Sequence, residues 1–467
     1  MDDYDSFLER KRFNDVSVGF DATLRDPDYD VSDLRLFPFQ ASLVKWALAR
    51  GRAALFEDTG LGKTAQQCIW ANEVAKYTGR PVLIFAPLAV AKQTEEEAAK
   101  FGVRVRYTRE QPSPCSDPAV YVTNYEMQQQ FAPEYFSGVV LDESSIIKNQ
   151  TGRTRTEMIE RWGVVPYRLS CTATPSPNDF MELGNQAQFL GIMSVAEMLA
   201  MFFTHDGSST QSWRLKGHGR RKFWEWLSTW AAFVRKPSDL GFSDDGYDLP
   251  SLNVIEHEVQ AAKPADGGLF AVPAQTLTER RRAKKDSIEA RVKVAADIVN
   301  ASDEAWIIWC HLNDEQDALE KAITRNAVSV RGSDTMDKKE RGLVGFSHGD
   351  YDVIITKPSI AGFGMNWQHT HNTLFVGLDD SFEKFYQAVR RQYRFGQAHA
   401  VNVYIVTSDG EGAIKANIER KKRQHEEMAE EMVHHMRDIM QRHIIGASVE
   451  KTDYNANLTM EIPEWLK

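Results

Sequence analysis

Short apolar runs alternate with longer amphipathic stretches along most of the chain. In the first part, the runs that predict strands lie at residues 53–56, 82–86, 119–122, 138–141 and 167–170. The rhythm resumes later, with predicted strands at 306–310, 327–330, 352–356, 373–376 and 401–406. Continuous apolar strands separated by helical crossovers are typical of parallel sheets covered on both faces. The pattern therefore predicts an α/β fold with two parallel-sheet lobes.

The segments outside this rhythm predict an insertion, a linker and a tail. No clear strand is visible from 179 to 250, where apolar runs at 196–203 and 223–234 predict helices. A stretch rich in Gly and Pro follows and favours a linker, whereas 411–444 predicts one long helix. We expect an N-terminal extension at 1–35, lobe one at 36–178, a helical insertion at 179–250, a linker and brace at 251–300, lobe two at 301–410, and a C-terminal helix and tail at 411–467.

Composition narrows the class of protein. With 467 residues, the chain is long enough for two or three domains, and 42% hydrophobic and 26% charged residues indicate a globular protein. No apolar run approaches the ~18 residues of a membrane span, and the first residues lack an apolar signal core. The four cysteines have no metal-ligand spacing and predict reduced thiols. We therefore expect a cytoplasmic protein, bacterial or, if phage-encoded, in the host cytoplasm.

The net charge of −10 argues against a protein that simply coats DNA, since such proteins are usually basic. It does not argue against a protein with a positive groove. The local placement of Lys and Arg therefore matters more than their sum.

A phosphate-binding loop is predicted between the first strand and the helix that follows it. The chain runs from Glu57 through Gly60, Gly62, Lys63 and Thr64 into that helix. The glycines let backbone N–H groups turn toward phosphates, and the helix N-terminus adds partial positive charge. Lys63 would neutralise phosphate charge, and Thr64 would hold Mg²⁺. Glu57 stands where the general GxxxxGK[ST] pattern has its first glycine.

An acidic pair follows another predicted strand. Asp142 ends the apolar run 138–141, and Glu143 stands beside it. A carboxylate at a strand's carboxyl end can bind Mg²⁺, and its neighbour can polarise an attacking water. The alternative is a pair of surface acids at a strand end.

With these residues the chain resembles superfamily 2 helicases, and specifically their Swi/Snf-like branch of double-stranded DNA translocases, in a minimal bacterial or phage form. Over about residues 36–410, the segments that resemble family motifs are 36–40, 58–64, 86–88, 123–126, 141–149, 172–178, 332–346, 359–366 and 387–397. The family's phosphate loop also lacks the first glycine. One departure is Ser145, where the family often has His.

The spacing Gln387, Arg391 and Arg394 is the most specific part of this resemblance. If the run is helical, these positions share one face. Two guanidiniums on one face could reach a phosphate held by the other lobe, as arginine fingers do. The alternative is a solvated basic helix face.

The resemblance implies two RecA-like lobes that bind ATP and Mg²⁺ in the cleft between them. By matched position, it implies catalytic roles for Lys63, Glu143, Arg391 and Arg394, nucleotide contacts for Gln40, Gly60, Gly62, Lys63, Thr64, Gly362 and Gln387, metal ligation by Thr64 and Asp142, and DNA contacts by Pro87, Thr123, Asn124 and Ser359. Among the nucleotide contacts, Gln40 would recognise the adenine base.

Two basic stretches, 214–222 and 280–285, could line a DNA groove, brace the lobes or remain solvated. The tryptophans at 224, 226 and 230 are expected in a helix core. Met428, Met432, Met436 and Met440 predict an apolar stripe packed on lobe two, with docking of a protein partner as the alternative. No oligomer and no membrane partner are implied.

The expected function is therefore an ATP-dependent motor that translocates on double-stranded DNA. A strand-separating helicase, an ATP-controlled clamp or protein-displacing factor, and an RNA-directed enzyme remain alternatives.

Overall fold

The protein is described here from a computed structural model. The structure describes residues 18–21, 36–113, 119–149, 152–176, 179–205, 213–260, 287–361, 365–379, 381–408 and 412–445. Three cysteines, Cys68, Cys171 and Cys310, are buried and unpaired. Cys115 and the basic stretch 280–285 lie outside the described residues.

Lobe one is built on a seven-stranded parallel sheet in the order β3-β4-β2-β5-β6-β1-β9. Its strands are β1 (Arg52–Glu57), β2 (Val82–Ala86), β3 (Val105–Tyr107), β4 (Val120–Asn124), β5 (Gly138–Asp142), β6 (Tyr167–Thr172) and β9 (Ala231–Val234). The central strands are buried along their whole length, which explains their continuous apolar sequence. A separate antiparallel hairpin joins β7 (Phe203–His205) and β8 (Trp213–Leu215).

The helices of lobe one are α1 (Pro38–Arg50), α2 (Lys63–Thr78), α3 (Leu88–Lys100), α4 (Arg153–Trp162), α5 (Leu183–Leu190), α6 (Val195–Phe202) and α7 (Arg220–Ser228). Short 3₁₀ helices lie at Tyr125–Gln130, Pro133–Tyr135, Ser144–Ile147, Phe180–Glu182, Gly217–Gly219 and Pro237–Leu240. Helix α1 begins with Pro38, whose fixed φ suits the first helical turn, and ends at Gly51 in the left-handed conformation.

Lobe two is built on a six-stranded parallel sheet in the order β10-β15-β14-β11-β13-β12. Its strands are β10 (Leu252–Val259), β11 (Trp306–Trp309), β12 (Ala327–Ser329), β13 (Val353–Thr356), β14 (Asn372–Val376) and β15 (Val401–Ser408). Its helices are α8 (Ile288–Asn300), α9 (Asn313–Ala322), α10 (Met336–His348), α11 (Pro358–Ala361) and α12 (Phe382–Val389). The two parallel sheets confirm the predicted α/β fold with two RecA-like lobes.

Five strands lie where none was predicted, namely β3, β7, β8, β9 and β10, and the last two change the domain boundaries. The run that ends at Val234 was expected to be helical, but α7 ends at Ser228 and β9 then joins the edge of the first sheet beside β1. A short apolar run cannot be assigned to helix or strand from periodicity alone. Strand β10 lies in the predicted linker and pairs with β15 in parallel. We therefore propose that lobe one extends through β9 and that lobe two begins at β10.

The tail forms one long helix, α13 (Gly412–Ile445), which confirms that prediction. Its first turns lie on lobe two, where Ile414 and Ile418 join the buried core. Its later turns cross to lobe one, where Met432, Met436 and Met440 join the core there. The prediction that the methionine stripe packs on lobe two was therefore wrong, because spacing shows which face is apolar and not what covers it. No helix in the described ranges is long and apolar enough to span a membrane.

Candidate active site between the two lobes

The predicted phosphate loop connects β1 to α2 at the carboxyl edge of the first sheet. Gly60 and Gly62 have φ values of 91° and 85°, which residues with side chains rarely adopt. A Cβ atom on Gly62 would lie 2.2 Å from Nε2 of Gln40. The Nζ atom of Lys63 donates hydrogen bonds to the carbonyl oxygens of Glu57 at 2.7 Å and Asp58 at 3.0 Å. The loop therefore holds its lysine folded back over its own backbone.

Gln40 is buried next to this loop. Its Nε2 donates to the carbonyl oxygen of Leu61 at 2.8 Å, and its Oε1 accepts from the backbone N–H of Phe37 at 3.0 Å. The amide thus ties the start of α1 to the phosphate loop, and its role in recognising the base stays a prediction.

Asp142 and Glu143 follow β5 and are both buried. Burial, with the charge of Glu143, raises the pKa of Asp142 to about 7, and Lys63 opposes this rise. Glu143 has a φ of 56° and is the only residue other than glycine with a positive φ in the described part of the chain. Backbone strain of this kind costs about 1–3 kcal/mol and often marks a functional position.

These groups fit a magnesium nucleotide. The left-handed glycines let the loop backbone turn without strain, and the first N–H groups of α2 have no partner inside the helix. Thr64 and Asp142 supply the hydroxyl and carboxylate oxygens that Mg²⁺ prefers, and Lys63 supplies a cation. No cluster of three or more His, Cys, Asp or Glu side chains suited to a metal occurs among the described residues. A metal here would therefore depend on phosphate oxygens for further ligands.

The arginines of lobe two reach this edge, although not from a continuous helix. Helix α12 ends at Val389, so Arg391 and Arg394 lie in the turn that follows and the predicted shared helical face is wrong. In this turn the carbonyl oxygen of Arg391 accepts from the backbone N–H of Trp367, at 3.0 Å, which holds the turn on lobe two. Burial lowers the pKa of the Arg391 guanidinium, and the nearby charge of Glu143 opposes this. The acid of one lobe and the arginine of the other are thus neighbours.

Hydrogen bonds join Glu143 to Arg391 across the cleft. The Thr172 hydroxyl donates to Oε2 of Glu143 at 3.4 Å, and the N–H of Thr174 donates to the Thr172 hydroxyl at 3.1 Å. Nε2 of Gln387 donates to the Thr174 hydroxyl at 3.4 Å, and Arg391 donates to Oε1 of Gln387 at 3.2 Å. The segment after β6 therefore contacts Glu143 itself, and this link does not require a long side chain at Ser145.

Two interlobe ion pairs beside the site were not predicted from the sequence. Nη2 of Arg390 lies 2.9 Å from Oδ2 of Asp58 in the phosphate loop, and the Tyr386 hydroxyl donates to the same carboxylate at 2.7 Å. Lys148 forms an ion pair with Glu383 at the start of α12. Each pair joins the lobes next to a predicted motif, but no local pattern connects partners so far apart in the chain.

The predicted DNA contacts are spread over both lobes. Thr123 and Asn124 end β4, and both side chains are buried. Pro87 is half-buried at the start of α3, and Ser359 is exposed in α11. Gly362 lies outside the described residues. These four contacts stay predictions, as does the nucleotide contact of Gly362.

The first basic stretch lies on the outside of lobe one, with Arg214, Arg220, Arg221 and Lys222 exposed. The predicted core positions of Trp224 and Trp230 are confirmed, and Trp226 packs against the same core partly buried. A cavity of about 970 Å³ opens between Asp58, the turn after β9 and α13. The tail helix thus forms one wall of the space beside the phosphate loop.

Comparison with known proteins finds similarity to a SWI/SNF-related protein and to a TATA-binding protein-associated factor. It is 23% identical over 410 residues to the SWI/SNF-related matrix-associated actin-dependent regulator of chromatin subfamily A-like protein 1 of Bos taurus, a match over 80% of this chain and 42% of that protein. It is 27% identical over 116 residues to the TATA-binding protein-associated factor mot1 of Schizosaccharomyces pombe, over 23% of this chain and 6% of that protein. These similarities support a Swi/Snf-like relationship.

A phage protein is similar to this chain over most of its own length. The putative protein p41 of Acyrthosiphon pisum secondary endosymbiont phage 1 is 24% identical over 434 residues, which covers 78% of this chain and 89% of that protein. No model of a protein family matches the chain. The chain thus matches nearly all of a phage protein but less than half of the bovine one.

Proposed function

We propose that this protein is an ATP-dependent nucleic-acid motor that translocates on double-stranded DNA. The observation that carries the proposal is the chain of hydrogen bonds that links Glu143 of lobe one to Arg391 of lobe two, next to the glycine loop that ends in Lys63. A site divided between two lobes can change its rate of ATP hydrolysis as the lobes move. A motor requires this link between hydrolysis and lobe movement.

Each group has a defined task in this proposal. Bound ATP, with Mg²⁺, supplies the terminal phosphoryl group that water would attack at its phosphorus. Lys63 and the N–H groups of the loop neutralise phosphate charge, and Thr64 and Asp142 hold the metal. Glu143 orients and polarises the water. Arg391 and Arg394 add positive charge when the cleft is closed.

The relay through Thr172, Thr174 and Gln387 supports coupling between hydrolysis and lobe movement. It connects the water-orienting acid with the arginine through hydrogen bonds that cross the cleft. Opening the cleft breaks the hydrogen bond from Gln387 to Thr174. Glu143 and Arg391 are therefore linked only while the cleft is closed.

The choice of double-stranded DNA is supported by the Swi/Snf-like similarity. It is also supported by the contacts to the DNA backbone that are predicted in both lobes. A motor must bind every sequence it passes, so its contacts should be to the backbone rather than to bases. Salt should therefore weaken its binding steeply.

The test is release of phosphate from ATP without nucleic acid and with duplex DNA, single strands or RNA. We expect the largest stimulation by duplex DNA. Lys63→Ala and Glu143→Gln should abolish turnover while thermal unfolding stays cooperative, and Arg391→Ala should lower kcat by ~10³-fold. Lys100→Ala, at an exposed position on α3, is the matched control. Undiminished turnover in both lobe-one variants would refute the assignment.

Movement is tested separately from hydrolysis. A third strand bound to a duplex should be displaced with ATP and not with a non-hydrolysable analogue. Separation of a forked duplex would instead indicate a helicase. ATP-dependent retention on DNA without displacement would indicate a clamp.

A further inference from the structure

The residue after Arg394 is an aromatic side chain that crosses into lobe one. The ring of Phe395 stacks on Tyr247 with centroids 4.4 Å apart and an angle of 20° between the planes. It also meets the ring of Phe37 edge to face at 6.0 Å. Tyr247 in turn contacts Phe37 and Phe39 at 5.5 and 5.4 Å. We call Phe37, Phe39 and Tyr247 the aromatic pocket.

The backbone of Phe395 is held by lobe two and pressed against the phosphate loop. Its carbonyl oxygen accepts from Nε2 of Gln368, and the carbonyl oxygen of Gln368 accepts from Gln397 at 3.2 Å. A Cβ atom on Gly60 would lie 2.6 Å from the backbone nitrogen of Phe395. The close approach therefore requires glycine in the loop. Arg394 immediately precedes Phe395 in the chain, so a shift of the Phe395 backbone also moves the guanidinium of Arg394.

The aromatic pocket is also part of the predicted base-reading end of the site. The backbone N–H of Phe37 donates to Oε1 of Gln40 at 3.0 Å, so Gln40 holds the backbone that carries the pocket's first ring. Gln40 is bound in turn to the loop at Leu61. A continuous set of contacts therefore runs from Gln40 through Phe37 to Phe395, and by the chain itself to Arg394.

We propose that Phe395 is a positioning residue that makes the engagement of Arg394 depend on correct recognition of the nucleobase by Gln40. This inference rests on the proposed ATP hydrolysis and adds to it a means of base selection. A base that displaces Gln40 displaces Phe37, loosens the pocket and withdraws the arginine. Selection between adenine and guanine nucleotides therefore acts on turnover more than on binding.

The test compares Phe395→Leu with Phe385→Leu. Phe385 is a partly buried aromatic residue of the same lobe, and its ring contacts Phe375 of that lobe at 4.8 Å. We expect Phe395→Leu to lower kcat for ATP by about 10- to 100-fold, because small misplacement of a charge-stabilising group is costly. Phe385→Leu should stay within about threefold of wild type. Equal losses in both variants would mean that Phe395 only stabilises the lobe.

Two further measurements test selection of the nucleobase. The ratio of kcat for ATP to kcat for GTP should fall toward one in Phe395→Leu. The Kd values of fluorescent adenine and guanine nucleotides, measured by titration, should change by less than about threefold. A wild-type protein with equal kcat for both nucleotides would overturn the proposal, as would a Phe395→Leu variant that keeps the wild-type ratio.

A double-mutant cycle ties the effect to the pocket. Tyr247→Leu should resemble Phe395→Leu, and the double variant should be no worse than either, because both remove one contact. The hydroxyl of Tyr247 is buried without a hydrogen-bond partner among the described residues. Tyr247→Phe should therefore recover most of the turnover that Tyr247→Leu loses. Additive losses would contradict the proposal, whereas absence of any wild-type turnover would instead refute the proposed function.

Discussion

Arg390 of lobe two forms an ion pair with Asp58 of the phosphate loop, with 2.9 Å between Nη2 and Oδ2 and about one fifth or less of each side chain exposed. Burial alone would raise the pKa of Asp58, but Arg390 and the hydroxyl of Tyr386 hold it below its usual value. The closed arrangement of the lobes is therefore stabilised at the loop itself, one residue away from the arginine assigned to catalysis.

Breaking this pair should weaken closure of the cleft. Arg390→Ala leaves the Asp58 carboxylate without its cation, at a cost of roughly 1–3 kcal/mol. We expect kcat to fall by about tenfold and the radius of gyration by X-ray scattering to rise. The Asp58→Asn, Arg390→Ala double variant should be less impaired than the two single losses combined. Full additivity would mean that the two residues act independently.

The relay from Glu143 to Arg391 predicts a loss of turnover without loss of binding. Thr174→Val keeps the shape of the side chain and removes the oxygen that accepts from Gln387. We expect kcat to fall by roughly three- to tenfold with an unchanged nucleotide Kd, since the lost hydrogen bond is long, at 3.4 Å, and hydrogen bonds contribute about 0.5–1.5 kcal/mol. Thr204→Val, at an exposed position in β7, is the control. A weakened Kd with normal kcat would contradict the relay.

Glu57 should make stability depend on pH. Burial raises its pKa from 4.5 to about 7, against the opposing effects of Lys63 and a hydrogen bond from Gln66. The folded protein thus binds this proton more tightly than the unfolded chain. The contribution of Glu57 to the free energy of unfolding is fully present below about pH 4.5 and falls by up to ~1.4 kcal/mol per unit until about pH 7.

Glu57→Gln isolates this effect from Asp142, which titrates in the same range. The glutamine still offers Gln66 an oxygen acceptor. Chemical denaturation at pH 5, 6, 7 and 8 should show the variant gaining stability relative to wild type as pH rises. A constant difference across this range would show that Glu57 does not titrate there.

The methionine stripe predicts how firmly α13 is held on lobe one. Met436 is 1% exposed, and truncation of such a side chain costs about 2–5 kcal/mol. We expect Met436→Ala to speed cleavage by trypsin after the exposed Arg437 and to lower the thermal midpoint. Met428→Ala, on the same stripe but only half-buried, should change both far less. Equal effects of the two substitutions would argue against docking through the buried methionines.

The sheet cores and the loop of Lys63 could be predicted because each follows from local sequence. Apolar runs such as 82–86 recur between amphipathic stretches, which is typical of parallel strands covered by helices, and the glycines of the loop adopt backbone conformations that other residues rarely adopt. The acid pair and the two arginines proposed for catalysis also came from short motifs. Their proximity across the cleft needed the structure.

What could not be predicted depends on contacts far apart in the chain. Asp58 and Arg390 are separated by 332 positions, and nothing near either residue shows its partner. Strand β9 is too short for its periodicity to differ from that of a buried helix. The stripe on α13 was visible, but its covering surface belongs to the other lobe. Tertiary packing decides all three.

Helix α13 gives the two lobes a second mechanical connection. The chain already passes once from β9 to β10, and the helix, about 50 Å long from its 34 residues, leads back from lobe two to lobe one. Two bodies joined at one point can rotate in any direction, whereas bodies joined at two points rotate mainly about the line between them. The tail therefore reduces the relative motion of the lobes to something close to a single axis, so that each cycle of opening and closing follows the same path.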